Sequence, residues 1–247
     1  MRDYAKETEK RVAFIRDLLS KTGAKGIVFG NSGGKDSALV GILCKKATEN
    51  VLGVIMPCES KRNFTIDADD GKEVATKFNI ETVVIDLTEA KKAELAAVSS
   101  VCEITKEANV NIAPRLRMAA LYAIGQSKGY LVAGTDNRSE IHMGYYTKWG
   151  DGAYDFNPIS DLAVCEVYEF LEYLGAPESI IKKAPSAGLF EGQTDEQEMG
   201  VTYAAIDSYL LKGSCDARDL EVIERYHRRS NHKREPIVTY EAWASKQ

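Results

Sequence analysis

A short apolar run, Gly26-Ile27-Val28-Phe29, leads into Gly30-Asn31-Ser32-Gly33-Gly34-Lys35-Asp36-Ser37, and a helical pattern, Ala38-Leu39-Val40-Gly41-Ile42-Leu43, follows without a break. Strand, tight loop of small residues and helix in that order predict an α/β sheet with the loop at the carboxyl end of its first strand. Small residues let backbone N–H groups crowd around phosphate oxygens, and the helix N-terminus adds partial positive charge. The segment therefore reads as a nucleotide phosphate site. It is not a Walker loop, which would place its lysine where this chain has Asp36. Nor is it the dinucleotide fingerprint, because the glycines fall at 30, 33 and 34 with the wrong gaps.

Each residue type in the loop suits that reading. Gly33 and Gly34 allow close backbone approach, and Ser32 and Ser37 supply hydroxyls. Asp36 would repel bare phosphate, so it makes sense as a ligand for a Mg²⁺ that bridges to the phosphates. The alternative is a glycine-rich turn with Asp36 as a helix N-cap. Lys35 stands at a position open either to a phosphate contact or to a solvated lysine.

Composition narrows the function classes. The 247 residues are 44% hydrophobic and 28% charged, as in a soluble globular protein, and the whole length is expected to form one domain. The net charge of −5 and the pI of about 5.4, with no basic stripe, argue against nucleic acid as a partner. The cysteines, Cys44, Cys58, Cys102, Cys165 and Cys215, are scattered, form no Cys-x-x-Cys pair and are expected to be small buried hydrophobes. A reduced, cytoplasmic location fits them. The start, Met1-Arg2-Asp3-Tyr4-Ala5-Lys6-Glu7, is too charged for a signal peptide, and no apolar stretch suits a membrane span.

Hydrophobic periodicity predicts helices over 3–21, 36–49, 66–78 and 89–107, with Pro114 opening another over 115–128. Strands are predicted at 25–30, 51–56, 81–86 and 130–134, the first two of them buried. The alternation implies a parallel sheet with helices on both faces. Residues 144–160 read as a long functional loop and 185–200 as a lid or disordered segment. Helices over 164–174, 202–212 and 216–229 form a C-terminal helical extension.

The Ser-Gly-Gly-x-Asp-Ser loop resembles that of the ATP pyrophosphatases, which split ATP between its α and β phosphates. Further blocks narrow the likeness: Pro114-Arg115-Leu116-Arg117-Met118, Gly134-Thr135-Asp136-Asn137-Arg138-Ser139-Glu140, Thr147-Lys148-Trp149-Gly150-Asp151-Gly152-Ala153-Tyr154-Asp155, Gln193-Thr194-Asp195-Glu196 and His232-Lys233-Arg234-x-Pro236. Over about residues 10 to 240 the chain resembles the ammonia-dependent NAD synthetases. The resemblance implies a Rossmann-like, doubly wound parallel sheet of the adenine nucleotide alpha hydrolase-like kind. It also implies a reaction: the nicotinate carboxylate of deamido-NAD attacks the α-phosphate of ATP, pyrophosphate leaves, and ammonia converts the acyl-adenylate to NAD and AMP.

By the same resemblance, Asp36 and Glu140 are Mg²⁺ carboxylates from separate strand ends. Gly30, Asn31, Ser32, Gly33, Gly34, Lys35, Asp36 and Ser37 hold ATP phosphates, with Thr135 and Ser186 as further ATP contacts. Arg115, Lys148, Asp155, His232 and Lys233 contact deamido-NAD, and Asp151 binds ammonium and aids its deprotonation. Val164 stands in the ATP set where many relatives carry a lysine, so a phosphate contact is lost there, and Lys35 offers a replacement charge from the opposite side. Tyr145, Tyr146 and Trp149 either wall the dinucleotide site or pack in the core; His142 and His227 read as structural. The family implies a homodimer. Two rivals share the loop: a tRNA-modifying thiolase or lysidine-type ligase, and a non-catalytic nucleotide sensor. The first would need a basic surface, and the second would need neither metal carboxylate.

Overall fold

The computed structural model describes residues 2–59, 65–183 and 194–245. Its centre is a four-stranded, all-parallel sheet of β1 (Gly26–Gly30), β2 (Val51–Ile55), β3 (Glu81–Val84) and β4 (Tyr130–Ala133) in the order β3-β2-β1-β4. β1 pairs on both sides, Val28 standing opposite Leu52 and Val132, so its side chains are buried on both faces. This is why β1 reads as an unbroken apolar run. β3 is an edge strand with Val83 and Val84 exposed.

The strand period of two divides the core. Ile27 and Phe29 point to one face, where they meet Ile15 of α1 (Tyr4–Thr22), Leu39 and Leu43 of α2 (Lys35–Ala47), and Phe170 of α7 (Val164–Leu174). Val28, Leu52, Val54 and Val132 point to the other, against Ala113, Leu116 and Leu121 of α5 (Lys106–Lys128). Each fully buried Phe, Leu or Ile contributes about 1.5–3 kcal/mol. α3 (Ile66–Phe78) and α4 (Thr88–Ser99) complete the crossovers. After β4 come α6 (Arg138–Met143), α7, α8 (Glu178–Ile181), α9 (Asp195–Met199), α10 (Tyr203–Lys212), α11 (Ala217–Arg229), α12 (Asn231–Arg234) and α13 (Tyr240–Ala244).

Three expectations are corrected. Pro114 lies inside α5 rather than at its start, because Thr105 caps the helix earlier, its Oγ1 accepting from Ala108 N at 3.2 Å. The helix expected over 89–107 stops at Ser99, and Lys106 already belongs to α5. Of the five cysteines only Cys44 and Cys58 are buried; Cys102 is exposed and Cys165 and Cys215 are half-buried. The apolar face of α1 packs on α2, its own core.

β1 runs on to β2 and β3 on one side, while β4 returns on the other side of β1. The loops leaving β1 and β4 therefore part, and a crevice opens at the carboxyl ends of these two strands.

Candidate active site

A cavity of about 660 Å³ occupies that crevice, lined from the β1 side by Gly30, Asn31, Ser32, Gly34, Lys35, Asp36 and Ser37 and from the β4 side by Gly134, Thr135, Asp136 and Glu140. The loop between β1 and α2 is held by its own polar groups. Asn31 Nδ2 donates to Gly71 O at 3.0 Å, and Ser37 Oγ donates to Gly34 O at 3.0 Å. Gly33 has φ +69°, and a Cβ there would lie 2.0 Å from the carbonyl oxygen of Asp67. Only glycine meets both demands. From the far side Lys183 Nζ donates to Gly33 O at 3.1 Å while pairing with Asp67 at 2.8 Å and Asp70 at 2.6 Å. The N-cap of α2 is Gly34, with no side-chain capping bond, so Asp36 is not the cap that the alternative loop reading required.

Asp36 instead faces β4. Asn137, fully buried at the start of α6, donates from Nδ2 to Asp36 Oδ1 at 3.0 Å. Its backbone N donates to Glu140 Oε2 at 3.0 Å, and its Oδ1 accepts from Glu140 N at 3.0 Å, a reciprocal capping box. One oxygen of each carboxylate is thus fixed. The other two, Asp36 Oδ2 and Glu140 Oε1, face Lys35 Nζ at 2.7 and 3.7 Å. Burial pushes the Glu140 carboxyl up to about 8, with Asp36 adding to the rise and Lys35 opposing it. Burial disfavours the Lys35 charge, but Asp36 and Glu140 outweigh it and hold the ammonium above its ordinary range.

Two more carboxylates, Asp136 and Asp151, line the same cavity. Asp136 is 5% exposed, and its Oδ2 has no hydrogen-bond partner among the described residues. Burial raises its carboxyl well above the usual range, and Asp151, Glu140 and Asp36 push the same way. Asp151 opens onto the cavity rather than sitting in packed core. Enclosure by the cavity walls still raises its carboxyl, against the pull of the Thr147 N–H, Lys233 and Arg117. Thr147 N donates to Asp151 Oδ1 at 3.0 Å. Lys233 Nζ reaches this wall, donating to Gly144 O at 2.6 Å and to Tyr146 O.

A glycine-rich loop, a carboxylate pair at its rim and two further carboxylates thus share one cavity. The family model described as NAD synthase matches residues 7–237. The chain belongs to the NAD synthase family. As a member it is an enzyme, a carbon–nitrogen ligase. The NH(3)-dependent NAD(+) synthetase of Carboxydothermus hydrogenoformans is 46% identical over 235 residues, 94% of this chain and 96% of the relative. The solved NMN synthetase from Francisella tularensis superposes with a TM-score of 0.91 at 39% identity, covering 97% of this chain and 99% of that one. The NH3-dependent NAD synthetase from Campylobacter jejuni gives 0.78 at 32% identity, covering 97% and 100%.

The fold of this NAD synthase is the Rossmann-like one expected. Of the residues expected from sequence, Gly30, Asn31, Ser32, Gly34, Lys35, Asp36, Ser37, Thr135, Glu140, Asp151 and Lys233 come together around the cavity. Gly33 lies just behind the lining. Val164 does not line the cavity; it packs with Met143, Met199, Tyr203 and Ile206 at the start of α7, which Asp207 caps by accepting from Cys165 N at 2.7 Å. Arg115 is exposed outside the lining, and Arg117 instead faces the cavity, its Nε donating to Met56 O at 3.0 Å. Asp155 is an anchor of β4, accepting from Val132 N at 2.8 Å and from the Tyr122 hydroxyl at 3.2 Å. Lys148 donates to His232 O at 2.5 Å, and both lie outside the lining. Ser186 and most of the expected 185–200 lid fall outside the described residues. Tyr145 and Tyr146 wall the cavity, whereas Trp149 is exposed. His142 stacks on His227 with centroids 4.1 Å apart.

Sequence reasoning passed over Asn137, Asp136, Arg117 and Lys183. For Asn137 a signal existed: Asn137-Arg138-Ser139-Glu140 has the spacing of a capping box. Asp136 and Arg117 stand inside blocks that carry the resemblance, without a role of their own there, and nothing local marks Lys183.

Proposed function

We infer that this NAD synthase amidates deamido-NAD with ammonia, using ATP and releasing AMP and pyrophosphate. The observation that carries the reading is the meeting of Asp36 and Glu140 beside the β1–α2 loop, both clamped by Asn137. A carboxylate resists ammonia because oxide is a hopeless leaving group, and adenylation replaces oxide by AMP. Asp36 Oδ2 and Glu140 Oε1 would hold Mg²⁺, which binds through one or two carboxylates together with substrate phosphates. The ion would supply Lewis-acid stabilisation of charge on the departing pyrophosphate. The loop N–H groups and the α2 N-terminus add to that stabilisation.

In this reading Asp151 accepts a proton from ammonium inside the cavity. The freed nitrogen lone pair attacks the acyl carbon, and the carbon–oxygen bond to AMP breaks. Membership of the family favours this chemistry over tRNA modification and over a sensor. A homodimer belongs to the same proposal: Arg115 is exposed and Lys148 and His232 stand outside the cavity, where a second copy can complete the dinucleotide site. A cytoplasmic location is likewise proposed; among the described residues no helix is long and apolar enough to cross a membrane.

The higher TM-score to an NMN synthetase supports a second acceptor, nicotinate mononucleotide. The two acceptors share the reacting carboxylate and differ in the distal AMP half, whose binding energy shows in kcat/KM. The test incubates the protein with ATP, Mg²⁺, ammonium and either acceptor, and follows NAD, NMN, AMP and pyrophosphate by mass spectrometry. NAD with AMP supports the first reading, and a higher kcat/KM for the mononucleotide supports the second. Formation of ADP and orthophosphate, or turnover with neither acceptor, overturns both.

A further inference from the structure

The side chain of Lys35 is buried, 6% exposed, in the mouth of the carboxylate pair. Its ammonium stands 2.7 Å from Asp36 Oδ2 and 3.7 Å from Glu140 Oε1, and the opposite oxygen of each carboxylate is already taken by Asn137. The lysine therefore occupies the oxygen pair that remains for a cation. We propose that Lys35 is a built-in counter-ion that closes the divalent-cation position to metal alone, so that the ion enters only with nucleotide phosphates, which take the displaced ammonium over.

The physical argument is charge balance in a confined space. Two carboxylates, each with side chains only 15% exposed, repel one another unless a cation lies between them. Lys35 supplies that charge from within the chain and needs no diffusing ion. A lone Mg²⁺ would have to push a buried ammonium aside, lose part of its own hydration and leave Lys35 without an anion. A nucleotide arriving with the ion brings negative oxygens to the loop that Lys35 itself adjoins, at the first residue of α2. The ammonium then exchanges one set of anions for another and stays charged throughout. The device couples metal uptake to nucleotide uptake, so metal-bound enzyme lacking ATP does not accumulate.

The proposal rests on the reading that Asp36 and Glu140 hold the divalent ion, and the experiment separates the two. Mn²⁺ binding is followed by EPR in the wild-type protein, Lys35→Met and Lys35→Arg, each with and without a nonhydrolysable α,β-methylene ATP. The expected result is that Lys35→Met binds Mn²⁺ alone at least tenfold more tightly than wild type, while Lys35→Arg, which keeps the charge, does not. The gain in Mn²⁺ affinity produced by the nucleotide should shrink correspondingly in Lys35→Met. Thermal unfolding gives an independent readout: Mn²⁺ alone should raise the midpoint of Lys35→Met and leave that of wild type unchanged. Should Lys35→Met fail to fold, Lys35→Gln keeps a hydrogen-bond donor without the charge and carries the same expectation. Equal Mn²⁺ affinity in wild type and the neutral variants, with nucleotide-enhanced binding in all, overturns the role of Lys35 and leaves the metal reading standing. Absence of Mn²⁺ binding in every protein, even with nucleotide, overturns both.

Discussion

Asn137 Nδ2 lies 3.0 Å from Asp36 Oδ1 across 101 residues of sequence, and this bond joins the β1 end of the site to the β4 end. The same residue holds the Glu140 carboxylate by its backbone N–H, so one residue, through side chain and backbone, sets the separation of both carboxylates. Groups behind a metal ligand tune its orientation and affinity by about 10–100-fold. Asn137→Ala should therefore lower kcat/KM by about that factor and raise the Mg²⁺ concentration needed for half-maximal rate. An Mg²⁺ profile identical to wild type would remove the clamp from the argument.

Gly33→Ala should disable the phosphate loop. Its φ of +69° costs an alanine about 1–3 kcal/mol. Beyond that, the new Cβ would have to push the Asp67 carbonyl back from 2.0 Å, disturbing α3 and the Lys183 contacts. A displacement of about 1 Å at a reacting group costs about 10²-fold in rate. Pyrophosphate release should fall by at least that factor, with a lower unfolding midpoint in calorimetry.

Asp136→Asn should stabilise the ligand-free protein. The carboxyl of Asp136 is raised well above its ordinary value of 3.8, chiefly by burial, so the native state holds a proton to higher pH than the unfolded chain does. Such a group favours folding below pH 3.8, and its contribution is lost as pH rises toward the native value. The amide removes that loss. Its unfolding midpoint at pH 7 should exceed that of wild type, and the difference should vanish near pH 4. Turnover should drop at the same time, since strained charge in a site is commonly retained for function.

Asp151→Asn should raise the ammonium requirement steeply and slow the ammonia step by about 10²–10⁴-fold, the scale of one acid–base group. Pyrophosphate formation in the absence of ammonium should persist, because adenylation precedes the ammonia step. Unaltered ammonium dependence would remove the proposed role.

His142 predicts acid lability. Burial, with His227, Arg234 and Arg138, pushes its imidazole down from 6.5 to about 4. The unfolded chain takes up this proton first, so the stability it confers is present above pH 6.5 and declines as pH falls toward about 4. His142→Phe keeps a ring against His227 and cannot titrate. Its unfolding midpoint should fall less than that of wild type between pH 6.5 and 4.5.

Much of this protein is legible locally. The apolar run of β1, the small residues after it and the helical period from Ala38 dictate strand, loop and helix, because backbone sterics and burial on both faces leave little else for them to form. The alternation of such units gives a parallel sheet, and a parallel sheet places its site at the strand carboxyl ends. Pro114 was misleading as a helix start because Thr105, nine positions earlier, caps the same helix. The order β3-β2-β1-β4 decided the rest. It set the β4 end beside the β1 end, so that Asn137 could reach Asp36, Lys35 could enter between two carboxylates, and Arg117 rather than Arg115 could face the cavity. Those relations depend on distances between segments far apart in the chain, and residue type and spacing fix such distances only after the sheet has closed.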